Sequence, residues 1–189
     1  MGKLIVEQIL SADGYAADAD GGIGFFSTAR QLNDADPEQL RMLASVEAIV
    51  FGATTYRMFA DYWPTTEAQA EPVAAPINAL PKFVVSSTLP SAPWGDGRAV
   101  EILRGDGVEA VRALRARIRG DLIVWGSLTL ADALLRAGEV DVLRLRVLPV
   151  LIGDGRSFTP TDLGERKLKL LSAQSHAGGL VVLEYGLTI

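Results

Sequence analysis

Two short stretches of this chain join glycine to small hydroxyl residues at the end of an apolar run: Phe51-Gly52-Ala53-Thr54-Thr55 and Trp125-Gly126-Ser127-Leu128. In each, a strand is expected to pass through a tight turn straight into a helix. Unpaired N–H groups and the positive end of the helix dipole favour an anion at such a helix start, glycine lets the backbone approach it, and a hydroxyl adds a donor. Taken singly, each junction also reads as an ordinary Thr or Ser N-cap beside a turn. Together they favour a phosphate-bearing ligand, although neither has the spacing of GxGxxG or of a P-loop.

Other residues carry chemistry less specifically. Asp13 follows the first expected strand and precedes Gly14, so it is either an Asx-turn residue or a carboxylate placed to orient a substrate or relay a proton. Phe25, Phe26, Tyr56, Tyr62 and Trp63 lie in or near loops, where they either pack the core or line a slot for a flat heterocycle. Trp125, at the end of an apolar strand, can touch core or bound ligand. Asp20, Asp61 and Asp154 read as turn residues, and the single histidine, His176, stands apart from the other candidates.

Composition removes several classes of function. There is no cysteine, so disulfides, a thiolate nucleophile and cysteine-bearing zinc sites are excluded, and one histidine cannot build a multi-histidine metal centre. No metal site is expected. The net charge is −5, from 18 basic and 23 acidic residues without a long like-charge block, which marks no nucleic-acid footprint. No run approaches the roughly 18 apolar residues of a membrane span. Glu7 interrupts the first apolar stretch, unlike the core of a signal peptide, so a soluble cytoplasmic protein is expected. A chain of 189 residues without a repeat or linker fits one domain spanning residues 1–189.

The elements that position these residues alternate between strand and helix. Strands are expected at 4–10, 48–51, 82–86, 99–103, 122–125 and 142–151, and helices at 36–45, 56–62, 108–119 and 128–137. Asp36 and Pro37 supply an N-cap and a first-turn proline, and Gly138 a C-cap. Residues 11–24 form a glycine-bearing loop, a candidate lid, and residues 66–79 a surface loop with room for one helical turn. Arg144 and Arg146 alternate along the sixth strand and predict a wetter face. Segments 168–173 and 180–187, joined through Gly178-Gly179, predict an antiparallel hairpin on a mixed sheet.

The order of Ser11-Ala12-Asp13-Gly14-Tyr15, Gly52-x-x-Thr55, Val84-Val85-Ser86-Ser87, Trp125-Gly126-Ser127-Leu128 and Pro149-x-x-x-Gly153-Asp154-Gly155 resembles the RibD C-terminal domain family, the reductase domain of riboflavin biosynthesis. The likeness covers nearly the whole chain. It implies an α/β fold of the dihydrofolate reductase type, a mixed and mostly parallel sheet flanked by helices with a C-terminal antiparallel hairpin.

The same resemblance implies NADPH as cofactor. Gly52, Thr54 and Thr55 would stand at the helix that receives its phosphates, Ser86 and Ser87 at the adenosine 2′-phosphate, and Gly126, Ser127 and Leu128 at the pyrophosphate. The nicotinamide would lie near the Asp13 loop. Lys82, Arg57 and Arg104 would be either further cations for the 2′-phosphate or solvated surface. Hydride would pass to a small nitrogen heterocycle, as in 5-amino-6-(5-phosphoribosylamino)uracil reductase or dihydrofolate reductase, with Asp13 orienting substrate or relaying a proton. Phe25, Phe26, Tyr62, Trp63 and Trp125 would hold the ring.

Departures from the family fall mostly on the substrate side. Trp125 stands where riboflavin-pathway members carry an acidic residue, residues 57–60 lack their charged pattern, and Ala53 stands where dihydrofolate reductases often have arginine. The alternative is therefore a non-catalytic, nucleotide-binding dimeric scaffold. A homodimer is expected from the resemblance and from the apolar 147–152 stretch.

Overall fold

The structure is a computed structural model that describes residues 2–31 and 36–187. Its axis is the strand Leu4–Leu10 (β1), whose apolar residues alternate onto two covered faces: Leu4 and Val6 belong to one hydrophobic cluster and Ile5 to the other. A strand buried on both sides suits parallel neighbours. On one edge it pairs in parallel with Asp121–Trp125, and on the other with Val142–Val147. These are β8 and β9 in chain order, after β2 (Tyr15–Ala17), β3 (Val46–Gly52), β4 (Lys82–Val85), β5 (Pro93–Trp94), β6 (Arg98–Ala99) and β7 (Glu101–Leu103). Then come β10 (Arg156–Ser157), β11 (Leu168–Ser175) and β12 (Val181–Leu187).

Among the described residues the main sheet has eight strands in the order β11-β12-β9-β1-β8-β3-β4-β7. Only β12 against β9 and β11 against β12 are antiparallel, so the sheet is mixed, mostly parallel and finished by an antiparallel pair. One face is covered by helices Asp36–Ser45 (α1), Ala53–Tyr62 (α2) and Ala74–Ala79 (α3), over Ile49, Phe51 and Ile123. The other is covered by Gly107–Arg117 (α4) and Leu128–Arg136 (α5), over Val50, Leu122 and Val124. No helix among the described residues is long and apolar enough to cross a membrane.

A charged row crosses the centre of this apolar sheet. Register sets Trp125 of β8 beside Glu7 of β1, Glu7 beside Arg144 of β9, and Arg144 beside Glu184 of β12. Arg144 is fully enclosed. Its Nη1 donates to Glu7 and, at 3.1 Å, to Gln39, its Nη2 to both oxygens of Glu38, and its Nε to Glu184 at 3.2 Å. Burial pushes the Arg144 guanidinium down to about 10 and pushes the Glu38 carboxyl above its ordinary range. Both shifts express the cost of taking charge out of water, which mutual pairing and hydrogen bonding offset.

Several sequence expectations are corrected here. The face of β9 that carries Arg144 is dry, because α1 lies over it and carboxylates from other elements neutralise the guanidinium. That strand ends at Val147, two residues before Pro149, which has no N–H to offer a ladder. Residues 66–79 hold more than the one helical turn expected in a surface loop: a 3₁₀ turn Ala68–Ala70 and α3 bury Ala68, Ala74 and Ile77. Pro72 and Pro76 and the shortness of these pieces hide their period. The expected strand at 99–103 is two, split at Val100, because β6 pairs with β5 while β7 joins β4.

Arg144→Met should destabilise the protein by about 3 to 5 kcal/mol in urea unfolding, because it strands two buried carboxylates. Adding Glu7→Gln and Glu38→Gln should recover most of that loss. A single-variant loss under about 1 kcal/mol would show that this row does not hold β9 to β1 and α1.

Candidate functional site

The carboxyl ends of β1, β3 and β8 come together where α2 and α5 begin, the position at which open α/β sheets bind ligands. The turn after β8 is the most constrained backbone there. Gly126 has φ +53°, and a Cβ on it would come within 3.2 Å of the Thr55 hydroxyl oxygen. Ser127 is also left-handed, at φ 52° and ψ 50°, a conformation that costs a residue with a Cβ about 1 to 3 kcal/mol.

Hydrogen bonds over-determine this turn. The Ser127 N–H donates to Thr55 Oγ1 at 2.9 Å, while its hydroxyl donates to the Trp125 carbonyl at 2.8 Å and accepts from the Gly52 N–H at 2.7 Å. The two glycine-hydroxyl junctions are thus tied directly to each other. From β1, the Glu7 carbonyl accepts the Gly126 N–H at 3.1 Å and Gln8 Nε2 donates to the Gly126 carbonyl at 2.6 Å. Glu7 Oε1 accepts the Trp125 indole N–H at 2.6 Å. The dipeptide Glu7-Gln8 therefore positions both the indole and the turn that follows it.

Neither of these two helices is capped by a side chain at its start, and neither first turn holds an acidic residue. By contrast, Asp106 caps α4 with two hydrogen bonds of 3.0 Å. The first turns of α2 and α5 instead face a common cavity of about 800 Å³, a volume ordinary for a ligand site. One part of its lining consists of Gly52, Thr54, Thr55, Gly126, Ser127 and Leu128. Another consists of Phe26, Phe59, Tyr62, Trp63 and Trp125, with Phe59 and Trp125 ring centres 5.4 Å apart.

The expected site residues divide into those inside this cavity and those outside it. Phe26, Tyr62, Trp63 and Trp125 line it, whereas Phe25 meets Phe26 edge-on and packs against the Leu148, Leu180 and Val182 cluster. Tyr56 is buried and donates its hydroxyl to the Pro93 carbonyl. Ser86 and Ser87 follow the end of β4, which lies next to Gly52 in register, but do not line the cavity. The Ser86 hydroxyl oxygen accepts the Thr88 and Leu89 N–H groups, and Arg104 braces the same turn through the Ser86 and Leu89 carbonyls. Lys82 sits at the far end of β4, donating to the Asn78 and Leu80 carbonyls. Arg57 faces a separate shallow groove.

Asp13 is exposed and is also outside the lining. Its carboxylate accepts the Ile152 and Gly153 N–H groups, the latter at 2.7 Å. A hydrogen bond from Ser11, with the Gly153 contact next in weight, holds its carboxyl below the ordinary aspartate range. Sequence reasoning passed over Gln8, Gln39, Arg146 and Arg156, all of which line the cavity; Glu7 lines it too. Glu7 and Gln8 had left one visible sign, a polar pair inside an otherwise apolar strand.

Comparison with known proteins accounts for this architecture. The RibD C-terminal domain profile matches residues 2–182. The riboflavin biosynthesis protein RibD of Mycobacterium tuberculosis is 31% identical over 146 residues, 76% of this chain but only 41% of that protein. A crystal structure from Shewanella sp. PV-4, named for riboflavin biosynthesis, superposes with a TM-score of 0.77 at 21% identity, covering 99% of both chains. Dihydrofolate reductase from Enterococcus faecalis, solved in complex with NADP(H) and RAB-propyl, gives 0.66 at 12% identity over 100% of this chain and 98% of its own. The fold is that of dihydrofolate reductase, and the chain belongs to the RibD C-terminal domain family, whose members include the reductases of riboflavin biosynthesis.

Proposed function

We propose that this protein is an NADPH-dependent reductase acting on a small, flat nitrogen heterocycle, and that it works as a single-domain, cytoplasmic homodimer. The observation that carries this reading is the shared cavity, with two uncapped helix N-termini on one part of its wall and an aromatic slot on another. The residues present fit a dinucleotide: Gly126 leaves open a position where a Cβ would crowd Thr55, and the N–H groups at the two helix N-termini suit phosphate. Bound NADPH supplies the hydride. The chain supplies position, through the Glu7-Gln8 clamp on Trp125 and Gly126, and exclusion of water, through Phe26, Phe59 and Trp63. The scaffold alternative predicts cofactor binding without turnover. The persistence of a walled slot beside the helix N-termini supports the enzyme.

NADPH should raise the melting temperature, with linkage contributing about 2.7 kcal/mol at a hundredfold excess over Kd. No shift at millimolar NADPH with folded protein would overturn the cofactor assignment.

NADPH should also bind more tightly than NADH, because Ser87 is exposed beyond β4 on a turn braced by Arg104, as a 2′-phosphate contact requires. Ser87→Ala should narrow the difference. Equal binding of the two cofactors to the parent protein would remove that role.

The phosphoribosylamino-uracil of riboflavin synthesis should be a poor substrate, turning over with kcat/KM below about 10⁴ M⁻¹s⁻¹, while unphosphorylated pterins or pyrimidines do better. Trp125 occupies the place of the family's carboxylate. The lining carboxylates are engaged too, Glu7 by Arg144 and Trp125, and Glu71 by the Tyr62 hydroxyl. NADPH oxidation across such a panel decides the matter; ordinary enzymatic efficiency with the phosphorylated intermediate would reverse the ranking, and no oxidation with any ring would favour the scaffold.

A further inference from the structure

Arg156 reaches the cavity from a side that neither the sheet nor the aromatic wall supplies. It lies on β10, which pairs antiparallel with β2 and sets Arg156 opposite Ala17, a residue that lines the same cavity. Its Nη2 donates to Asp132 at 2.9 Å. Asp132 is four residues beyond Leu128, so the guanidinium stands about one turn along α5 from its uncapped N-terminus. One N–H of the five on a guanidinium meets Asp132, and the side chain remains about half exposed, at 46%. The other Asp132 oxygen, Oδ1, is buried without a hydrogen-bond partner among the described residues, so Arg156 is the group that hydrogen-bonds this carboxylate, while Arg136 one turn along α5 adds a longer-range attraction.

The segment that carries Arg156 is closely fastened. Asp13 accepts two of its N–H groups, from Ile152 and Gly153, and the Ala12 N–H donates to the Val150 carbonyl at 2.7 Å. A Cβ on Gly155 would come within 2.2 Å of the Ala17 carbonyl oxygen, so only glycine lets the segment close onto β2 at that point. The remaining charged residues of the lining, Glu7, Glu71 and Arg146, are held by partners on or over the sheet and beside the aromatic slot: Arg144, Tyr62 and Gln39.

We propose that Arg156 binds the diphosphate of the nicotinamide dinucleotide over the first turn of α5, and that Asp13 positions it by latching residues 150–156 against residues 12–17. This rests on the cofactor assignment made above. Asp13 is then a positioning residue that acts through Arg156. The chemistry is a bidentate, charge-assisted contact between a planar guanidinium and phosphate oxygens, assisted by the helix N–H groups. Asp132 holds the side chain beside the helix and restricts the orientations it must give up on binding.

Equilibrium titration by tryptophan fluorescence tests the proposal with three probes: NADPH, NADH and reduced nicotinamide riboside, which has no phosphate. Arg156→Ala should weaken both dinucleotides by the same factor, about tenfold, and leave the riboside unchanged, while Arg156→Lys keeps part of the affinity. Asp13→Asn should give a smaller loss of the same pattern, and no additional loss in the Arg156→Ala background. Unfolding of each ligand-free variant checks that the fold is intact. If the parent protein binds neither dinucleotide, the cofactor assignment itself fails. If it binds them and Arg156→Ala changes Kd by less than twofold, or weakens NADPH alone, the diphosphate role is overturned. An Asp13→Asn effect that persists in full without Arg156 would overturn the latch.

Discussion

A guanidinium sealed from water has to satisfy five N–H donors and one charge without solvent, and Arg144 imposes that requirement at the centre of the sheet. The solution draws on three elements besides its own strand, because no single neighbour can do it: Glu7 from β1, Glu38 and Gln39 from α1 and Glu184 from β12. Those contacts set where α1 lies and how β12 sits on β9. They also orient Glu7, whose second oxygen is left facing Trp125 and takes its indole N–H. The aromatic wall of the cavity is thus aimed by a charge two strands away, and its position is fixed before any ligand arrives.

The turn after β8 extends this pre-organisation to the helix N-termini. Two consecutive left-handed residues would be an unstable choice for an isolated loop, yet here each polar group that could relax the strain is already bonded: the Ser127 N–H and hydroxyl, the Gly126 N–H and carbonyl. The consequence concerns what the hydroxyls can do. Ser127 Oγ and Thr55 Oγ1 hold the two junctions together, so any anion between them meets chiefly backbone N–H groups and helix dipoles rather than free hydroxyls. A site built from fixed backbone donors needs little reorganisation when charge arrives in it.

What could be read from the sequence follows from this division. Local features were legible: the extent of β1 and α1, both strand-turn-helix junctions, the Gly138 cap and the terminal hairpin all depend on neighbours in the chain. The capping side chain of Asp36 lies outside the described residues. Long-range features were not legible. Arg144 looked like a residue on a wet face because its carboxylates come from positions 7, 38 and 184, and nothing in a single sequence announces their convergence. Ser86 read as a ligand group because its hydroxyl's local turn role is chemically the same motif. Asp13 was singled out by its place after a strand. What that place serves depends on residues 152 and 153, almost 140 positions later.

The distribution of charge also bears on how a reduction would proceed here. Reducing a C=N bond takes a hydride and a proton, and the carboxylates around the cavity are arranged as acceptors rather than sources. Glu7 accepts from Trp125, Gln39 and Arg144, and Glu71 accepts the Tyr62 hydroxyl. Outside the lining, Asp13 accepts two backbone N–H groups and is held below its ordinary range. A carboxylate whose oxygens already accept hydrogen bonds from the protein is poorly placed to hand a proton on to a substrate. In the proposed reductase this arrangement suits a ring whose own nitrogen is basic enough to be protonated before hydride arrives, the proton coming in with the substrate from solvent. A neutral, weakly basic carbonyl would arrive without that proton. For the proposed reductase, selectivity would then rest on ring basicity and stacking area, two properties of the heterocycle itself rather than of the groups attached to it.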